Sequence, residues 1–202
     1  MIRLYLITPP SGDPVRAVEA ALAVLPRGSA GVQLRQLDPS ARELLERARA
    51  LRDVCTGFAA PLLINDRADV ALASGADGVH LPARGLPVAD ARALGLRVVG
   101  ISAHSAEDVA GASREGADFA VFGSVYDTPG KTAQGEAALA RACRAVPIPV
   151  LALGGVNESN AFRCLEAGAR GVACIRSVLG AADPADAAIR LWKAMALGPS
   201  DY

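Results

Sequence analysis

Residues 61–82 read PLLINDRADVALASGADGVHLP, and the alternation in this stretch decides the fold. Two short apolar runs, PLLIND at 61–66 and GVHLP at 78–82, enclose a segment that ends in SGAD. That ending reads as a helix C-terminus in which Gly75 takes a left-handed conformation before the chain enters the next strand. EGAD ahead of residue 119 and EAGARG ahead of residue 171 repeat the device, with Gly116 and Gly168 in the same place.

Working outward, further apolar runs lie at 3–8, 31–35, 97–104, 119–126, 149–155 and 171–177, which makes eight. The segments 16–25, 40–55, 106–115, 157–167 and 184–196 place Ala, Leu and Val at i, i+3 and i+4, the helical period. Most strand-to-strand distances leave room for a crossover helix, so neighbouring strands are parallel. Their nearly continuous apolar character agrees, because parallel strands are covered on both faces. Eight strand-helix units predict a single-domain (β/α)8 barrel over residues 1–202 with short loops. An open doubly wound sheet is the competing architecture.

Twenty-one basic side chains balance 21 acidic ones, so no strong field draws the chain to nucleic acid or to an anionic membrane. No apolar run has the length of a membrane span, and MIRLYLITPP lacks the pattern of a secretory signal. A cytoplasmic enzyme with a small-molecule partner is the expectation. Cys55, Cys143, Cys164 and Cys174 form no C-x-x-C pair and read as free thiols, Cys174 as a small buried one.

In a barrel, alternate strand residues face the interior, and at the C-terminal mouth they become the floor of the site. By that rule Gln33 and Arg35 of GVQLRQLD (31–38) face inward, while Val32 and Leu34 face the helices. Asn65 and Asp66 close their run, as Ser102 and His104 close VVGISAH. Each is alternatively a helix cap. His104 is the acid/base candidate, whereas His80, in mid-strand, reads as a core or interface side chain. Two histidines and few clustered carboxylates exclude a dedicated zinc site. In YDTPGKTAQG (126–135), Thr128 and Lys131 offer a hydroxyl and an ammonium to an anion, or belong to a plain solvated loop. Gly154, Gly155, Arg176 and Ser177 follow the seventh and eighth runs, where many barrels bind phosphate; a tight turn at the glycines is the alternative.

Five motifs in order, GVQLRQLD, LLINDRADVALASGADGVHLP, GISAHSAEDV, GADFAVFGSVYDTPGK and PVLALGGVNESNA, resemble the thiamine phosphate synthase and thiazole tautomerase superfamily over almost the whole chain. The resemblance implies a (β/α)8 barrel that binds a thiazole phosphate. The synthase branch joins a pyrimidine diphosphate to it, with Mg2+ carrying the departing pyrophosphate. The tautomerase branch moves a proton on a carboxythiazole phosphate. Carried over, Gln33 and Arg35 match the pyrimidine and pyrophosphate site. Asn65 matches a pyrophosphate contact, Asp66 a magnesium ligand and Ser102 a polar residue of the same site. Thr128 and Lys131 match part of a T-x-T-K loop, and Gly154, Gly155, Ile175 and Arg176 match the thiazole phosphate loops.

There are also departures. Leu37 stands where synthases carry a lysine, PARGLP (82–87) replaces GQ and an acidic pair, and Gly130 replaces a threonine. If each lost charge costs about 2–4 kcal/mol in the transition state, synthase chemistry slows by roughly 10³ or more. The expectation is therefore a tautomerase-like isomerase without a cofactor, using His104 as proton shuttle with Gln33 and Arg35 orienting the ring. A divergent synthase is the alternative, with Mg2+ on Asp66 and with Arg84 or Lys131 making up for the missing charges. A non-catalytic sensor of thiazole or thiamine phosphate is a third reading. A homodimer is compatible with all three.

Overall fold

A computed structural model describes residues 2–37 and 39–197. Eight strands form one closed parallel barrel in sequence order, β1 pairing with β8. The first half runs β1 (Leu4–Ile7), α1 (Val15–Ala23), β2 (Ala30–Leu34), α2 (Ala41–Gly57), β3 (Leu62–Asn65), α3 (Ala68–Ser74), β4 (Gly78–Leu81) and α4 (Val88–Ala93). The second half runs β5 (Val98–Ala103), α5 (Ala106–Arg114), β6 (Phe119–Gly123), α6 (Gly135–Arg144), β7 (Val150–Leu153), α7 (Ala161–Glu166), β8 (Gly171–Cys174), α8 (Arg176–Leu179) and α9 (Pro184–Leu197). The expected (β/α)8 barrel is present and the open sheet is excluded, because an open sheet has no β1–β8 pair. Helices α3, α4, α6 and α8 fall outside the segments picked by periodicity; most are too short to show a repeating apolar face.

Local chemistry explains the element ends. Gly75, Gly116 and Gly168 have φ of +70°, +91° and +101°, the left-handed region expected of a helix stop. The aspartate of each GAD adds a second function. Asp77 Oδ2 accepts from the Leu62 N–H at 2.8 Å while the Asp77 N–H donates to the Leu62 carbonyl at 2.9 Å. Asp118 does the same with Val99, at 2.6 and 2.9 Å. One motif thus ends a helix and sets the register of the strand that follows. Ser40 and Glu43 form a capping box on α2, and Ser105 Oγ caps α5 by accepting from the Asp108 N–H at 3.0 Å.

The core has two parts. Val32, Leu34, Leu62, Ile64, Val79 and Leu81 lie in a large jacket between sheet and helices. Tyr5, Ile7, Leu63, Phe119, Val121, Leu151 and Ala173 form a separate cluster inside the barrel. This is the parity expected of β2, since Val32 and Leu34 belong to the jacket and Gln33 pairs in register with Ile7 and Leu63 of the inner cluster. Among the described residues no helix is long and apolar enough to cross a membrane.

Candidate active site

The inner cluster fills the barrel from below, and polar side chains take over toward the C-terminal strand ends. Gln33 is 2% exposed, and its Nε2 has no hydrogen-bond partner. A buried amide donor left unpaired costs about 1–3 kcal/mol, so an acceptor supplied by a ligand would stabilise this position. Arg35 lies one residue past β2, half-buried, with its backbone N–H and carbonyl both bonded to Thr8 Oγ1 at 2.9 and 3.1 Å. Its guanidinium makes no ion pair among the described residues.

Asn65 ends β3 and the exposed Asp66 follows it with φ +62°. Neither caps α3, whose N-cap is Arg67 with no side-chain cap bond, so the cap alternative falls. A non-glycine residue in the left-handed region is strained and is held here by its neighbours. The Asp66 N–H donates to the His80 carbonyl at 2.9 Å, and a Cβ at Gly85 would lie 2.9 Å from Asp66 Oδ1. The loop after β4 therefore passes close to the Asp66 carboxylate, with no room for a side chain at Gly85.

Ser102 is half-buried in β5 and its Oγ lies 3.0 Å from His80 Nε2. His80 is 2% exposed, and burial lowers its pKa to about 3; it is the core histidine anticipated from its mid-strand place. His104 is exposed beyond β5, and its Nδ1 lies 2.6 Å from the Gly123 carbonyl, so Nδ1 carries the proton and Nε2 is left open. Its imidazole also ties the ends of β5 and β6 together.

A cavity of about 360 Å³ opens beside β7 and β8, lined by Thr128, Gly154, Gly155, Ile175, Arg176 and Ser177 among others. These predicted anion-site residues share one space. Lys131 joins through a backbone bridge to Thr128, with Gly130 at φ +79° making the turn between them. The glycine pair has a structural cause as well. Gly154 and Gly155 have φ of +98° and +65°, and a Cβ on them would meet Ser124 Cα at 2.7 Å and Tyr126 Cβ at 2.7 Å. Only glycine lets the β7 loop lie this close to the β6 loop, and that approach shapes the cavity wall. Gln33, Arg35, Asn65, Asp66, Ser102 and His104 sit across the mouth and do not line this cavity.

The cysteines are free thiols in the structure. Burial pushes the Cys55 and Cys174 thiols up to about 12 and those of Cys143 and Cys164 to about 11, which removes them as nucleophiles. One inward residue escaped the sequence reading. Tyr5 is fully buried in β1, and its hydroxyl faces His80 Nδ1 at 3.5 Å. Its parity with Ile7 in RLYLIT was the available signal, masked because tyrosine counts as apolar.

A family model described as thiamine monophosphate synthase matches residues 4–178. The chain belongs to that family. It is 48% identical over 195 residues to a protein named putative thiamine-phosphate synthase from Geobacter sulfurreducens, covering 92% of this chain and 90% of that one. It is 43% identical over 187 residues to the thiamine-phosphate synthase of Gloeobacter violaceus, covering 90% of this chain but only 54% of the longer relative. Among solved structures, thiamine phosphate pyrophosphorylase from Pyrococcus furiosus superposes with a TM-score of 0.88 at 34% identity, over 96% of this chain and 95% of that one.

These similarities correct the expectation of a tautomerase-like isomerase, because the relatives at this identity carry the synthase name. The physical reason lies in how the charges were counted. Leu37 is 59% exposed on its loop, so the absence of a lysine there leaves no gap in the buried part of the site. Arg35, Lys131 and Arg176 make no ion pair among the described residues.

Proposed function

We propose that this chain is a thiamine-phosphate synthase that couples hydroxymethylpyrimidine diphosphate to a thiazole phosphate and releases pyrophosphate. The observation that carries the reading is the charge state of the mouth. Arg35, Lys131 and Arg176, and the carboxylate of Asp66, all stand without an ion-pair partner among the described residues. Arg35, Lys131 and Arg176 can meet an anionic substrate, and the Asp66 carboxylate, whose charge the neighbouring Arg67 guanidinium feels, can take a cation that arrives with it. A diphosphate carrying its own metal supplies both.

The residues present fit Mg2+ in that form. Among the described residues no group of three or more His, Cys, Asp or Glu is placed to hold an ion. Magnesium often takes one carboxylate, with phosphate oxygens and water completing its shell. Asp66 would hold it, with Asn65 beside it. When bound, the ion would neutralise charge on the leaving pyrophosphate.

In this reading the Gln33 amide orients the pyrimidine through its unpaired N–H groups. Arg35, with Lys131 from the β6 loop, stabilises the pyrophosphate as the C–O bond breaks and its electron pair departs. The thiazole phosphate occupies the cavity between Gly154, Gly155 and Ile175, with Arg176 and Ser177 donating to its oxygens. The thiazole nitrogen forms the new C–N bond. Asn65, Ser102 and Thr128 complete the polar lining, and His104 holds β5 to β6.

The test is one assay of purified protein with both substrates and Mg2+, following thiamine phosphate and pyrophosphate together. Stoichiometric, metal-dependent formation of both, lost in Asp66→Ala, is expected. Thiazole phosphate binding without any turnover would refute the reading.

A further inference from the structure

A chain of three buried or half-buried polar groups runs from the barrel floor to the mouth, and the resemblance assigns a role only to its last member. Tyr5 Oη lies 3.5 Å from His80 Nδ1, and His80 Nε2 lies 3.0 Å from Ser102 Oγ. Tyr5, His80 and Phe119 also pack together, with ring centroids 5.4 to 6.0 Å apart. Ser102 Oγ has no second partner among the described residues.

Two proton arrangements satisfy these distances, and they present opposite faces to a ligand. In the first, the phenol donates to Nδ1, the proton sits on Nε2 and is given to Ser102 Oγ, and the serine O–H is left to point into the mouth. In the second, Nδ1 carries the proton toward the phenol oxygen, and Ser102 spends its own O–H on Nε2. The second strands the phenol O–H of the fully buried Tyr5, because the other polar group beside the phenol, the Gln33 amide, faces it as a donor that completes no hydrogen bond of its own. An unsatisfied buried donor costs about 1–3 kcal/mol, enough to favour the first arrangement by about fivefold or more. The phenol is available as a donor, because burial holds its pKa well above the ordinary value.

We propose that Tyr5 and His80 are positioning residues: they fix the His80 proton on Nε2 and thereby turn the Ser102 hydroxyl proton toward the mouth. That makes this point of the site selective for a lone-pair acceptor on the ligand, such as a ring nitrogen. Neither Tyr5 nor His80 touches the ligand; both act through Ser102.

The chain has two histidines, so ¹⁵N spectra of the histidine-labelled protein at pH 7 resolve both, with His104→Gln giving the assignment. His104 is expected with its proton on Nδ1, bound to the Gly123 carbonyl, and His80 with its proton on Nε2. Tyr5→Phe should leave His80 a mixture of both tautomers. A His80 proton found on Nδ1 overturns the proposal, as does a spectrum unchanged in Tyr5→Phe.

The kinetic arm rests on the synthase reading. Tyr5→Phe should raise KM for hydroxymethylpyrimidine diphosphate about threefold to tenfold, the worth of one hydrogen bond, with a smaller change in kcat. In a Ser102→Ala background the same change should have no further effect. An equal factor in both backgrounds shows a merely structural role and overturns the proposal. If the wild-type protein lacks synthase turnover, that reading of function fails, and the His80 tautomer then upholds or overturns the relay by itself.

Discussion

Replacing Gly154 by alanine tests whether the β6 and β7 loops form one rigid wall of the cavity. Gly154 has φ +98°, and an added Cβ would come 2.7 Å from Ser124 Cα and 2.8 Å from Ser124 Cβ. The left-handed conformation costs an L-residue about 1–2 kcal/mol, and forcing a methyl into packed surroundings adds about 1–3 kcal/mol. Together Gly154→Ala should destabilise the protein by about 2–5 kcal/mol and raise KM for the thiazole phosphate. Gly12 has φ +87° with nothing within 4 Å of its missing Cβ, so Gly12→Ala isolates the backbone cost alone, about 1–2 kcal/mol. Urea unfolding of the two variants measures the difference. Ser124→Gly should recover part of the loss in Gly154→Ala and none in Gly12→Ala. Equal destabilisation by the two alanines, or no recovery, would refute the argument that the loops are locked by contact.

The remaining predictions concern charge and protonation. Asp66→Ala should slow Mg2+-dependent pyrophosphate release by about 10² or more while changing stability little, because the carboxylate is exposed; a rate within twofold of wild type would remove Asp66 from the site. Leu37→Lys, at a position 59% exposed, should change stability by less than about 0.5 kcal/mol and lower KM for the pyrimidine diphosphate, as steady-state kinetics can read. His80 titrates near 3 in the fold against an ordinary value near 6.5. The unfolded chain therefore binds a proton that the folded one refuses, and stability falls with acid through that window by about 1.4 kcal/mol per pH unit from this group. The stability difference between wild type and His80→Gln, followed from pH 7 to pH 4, should shrink accordingly. Cys55 and Cys174, with thiols pushed up to about 12, should resist a disulfide exchange reagent at pH 8 in native protein and react at once in denaturant.

The barrel was legible because its signals are local and repeated. Each apolar run is short, each connection ends in a glycine that stops a helix, and the parity of Gln33 against Val32 and Leu34 follows from pleating alone. The short helices were not legible, since Arg176–Leu179 and Val88–Ala93 complete barely one turn or two and carry no measurable period. At the site, residues at strand ends could be named, but not sorted. The sequence does not say that Thr128 and Arg176 share a cavity that Asp66, just past β3, does not line, because that division depends on how strands tilt round the barrel.

The misreading of activity has a physical lesson in the same geometry. Leu37 and the stretch PARGLP (82–87) count in the sequence as charges lost from a motif, one position at a time. What stabilises a leaving pyrophosphate is the field at the mouth, and that field sums over every unpaired group whichever strand supplies it. Arg35, Lys131 and Arg176 make no ion pair among the described residues, whereas Arg52, Arg67, Arg92 and Arg190 each hold an acidic neighbour. Sequence alone cannot tell a spent arginine from a free one. The balance of 21 basic and 21 acidic side chains gives the net charge but not where the unpaired groups stand, and it is their placement that an anionic ligand meets.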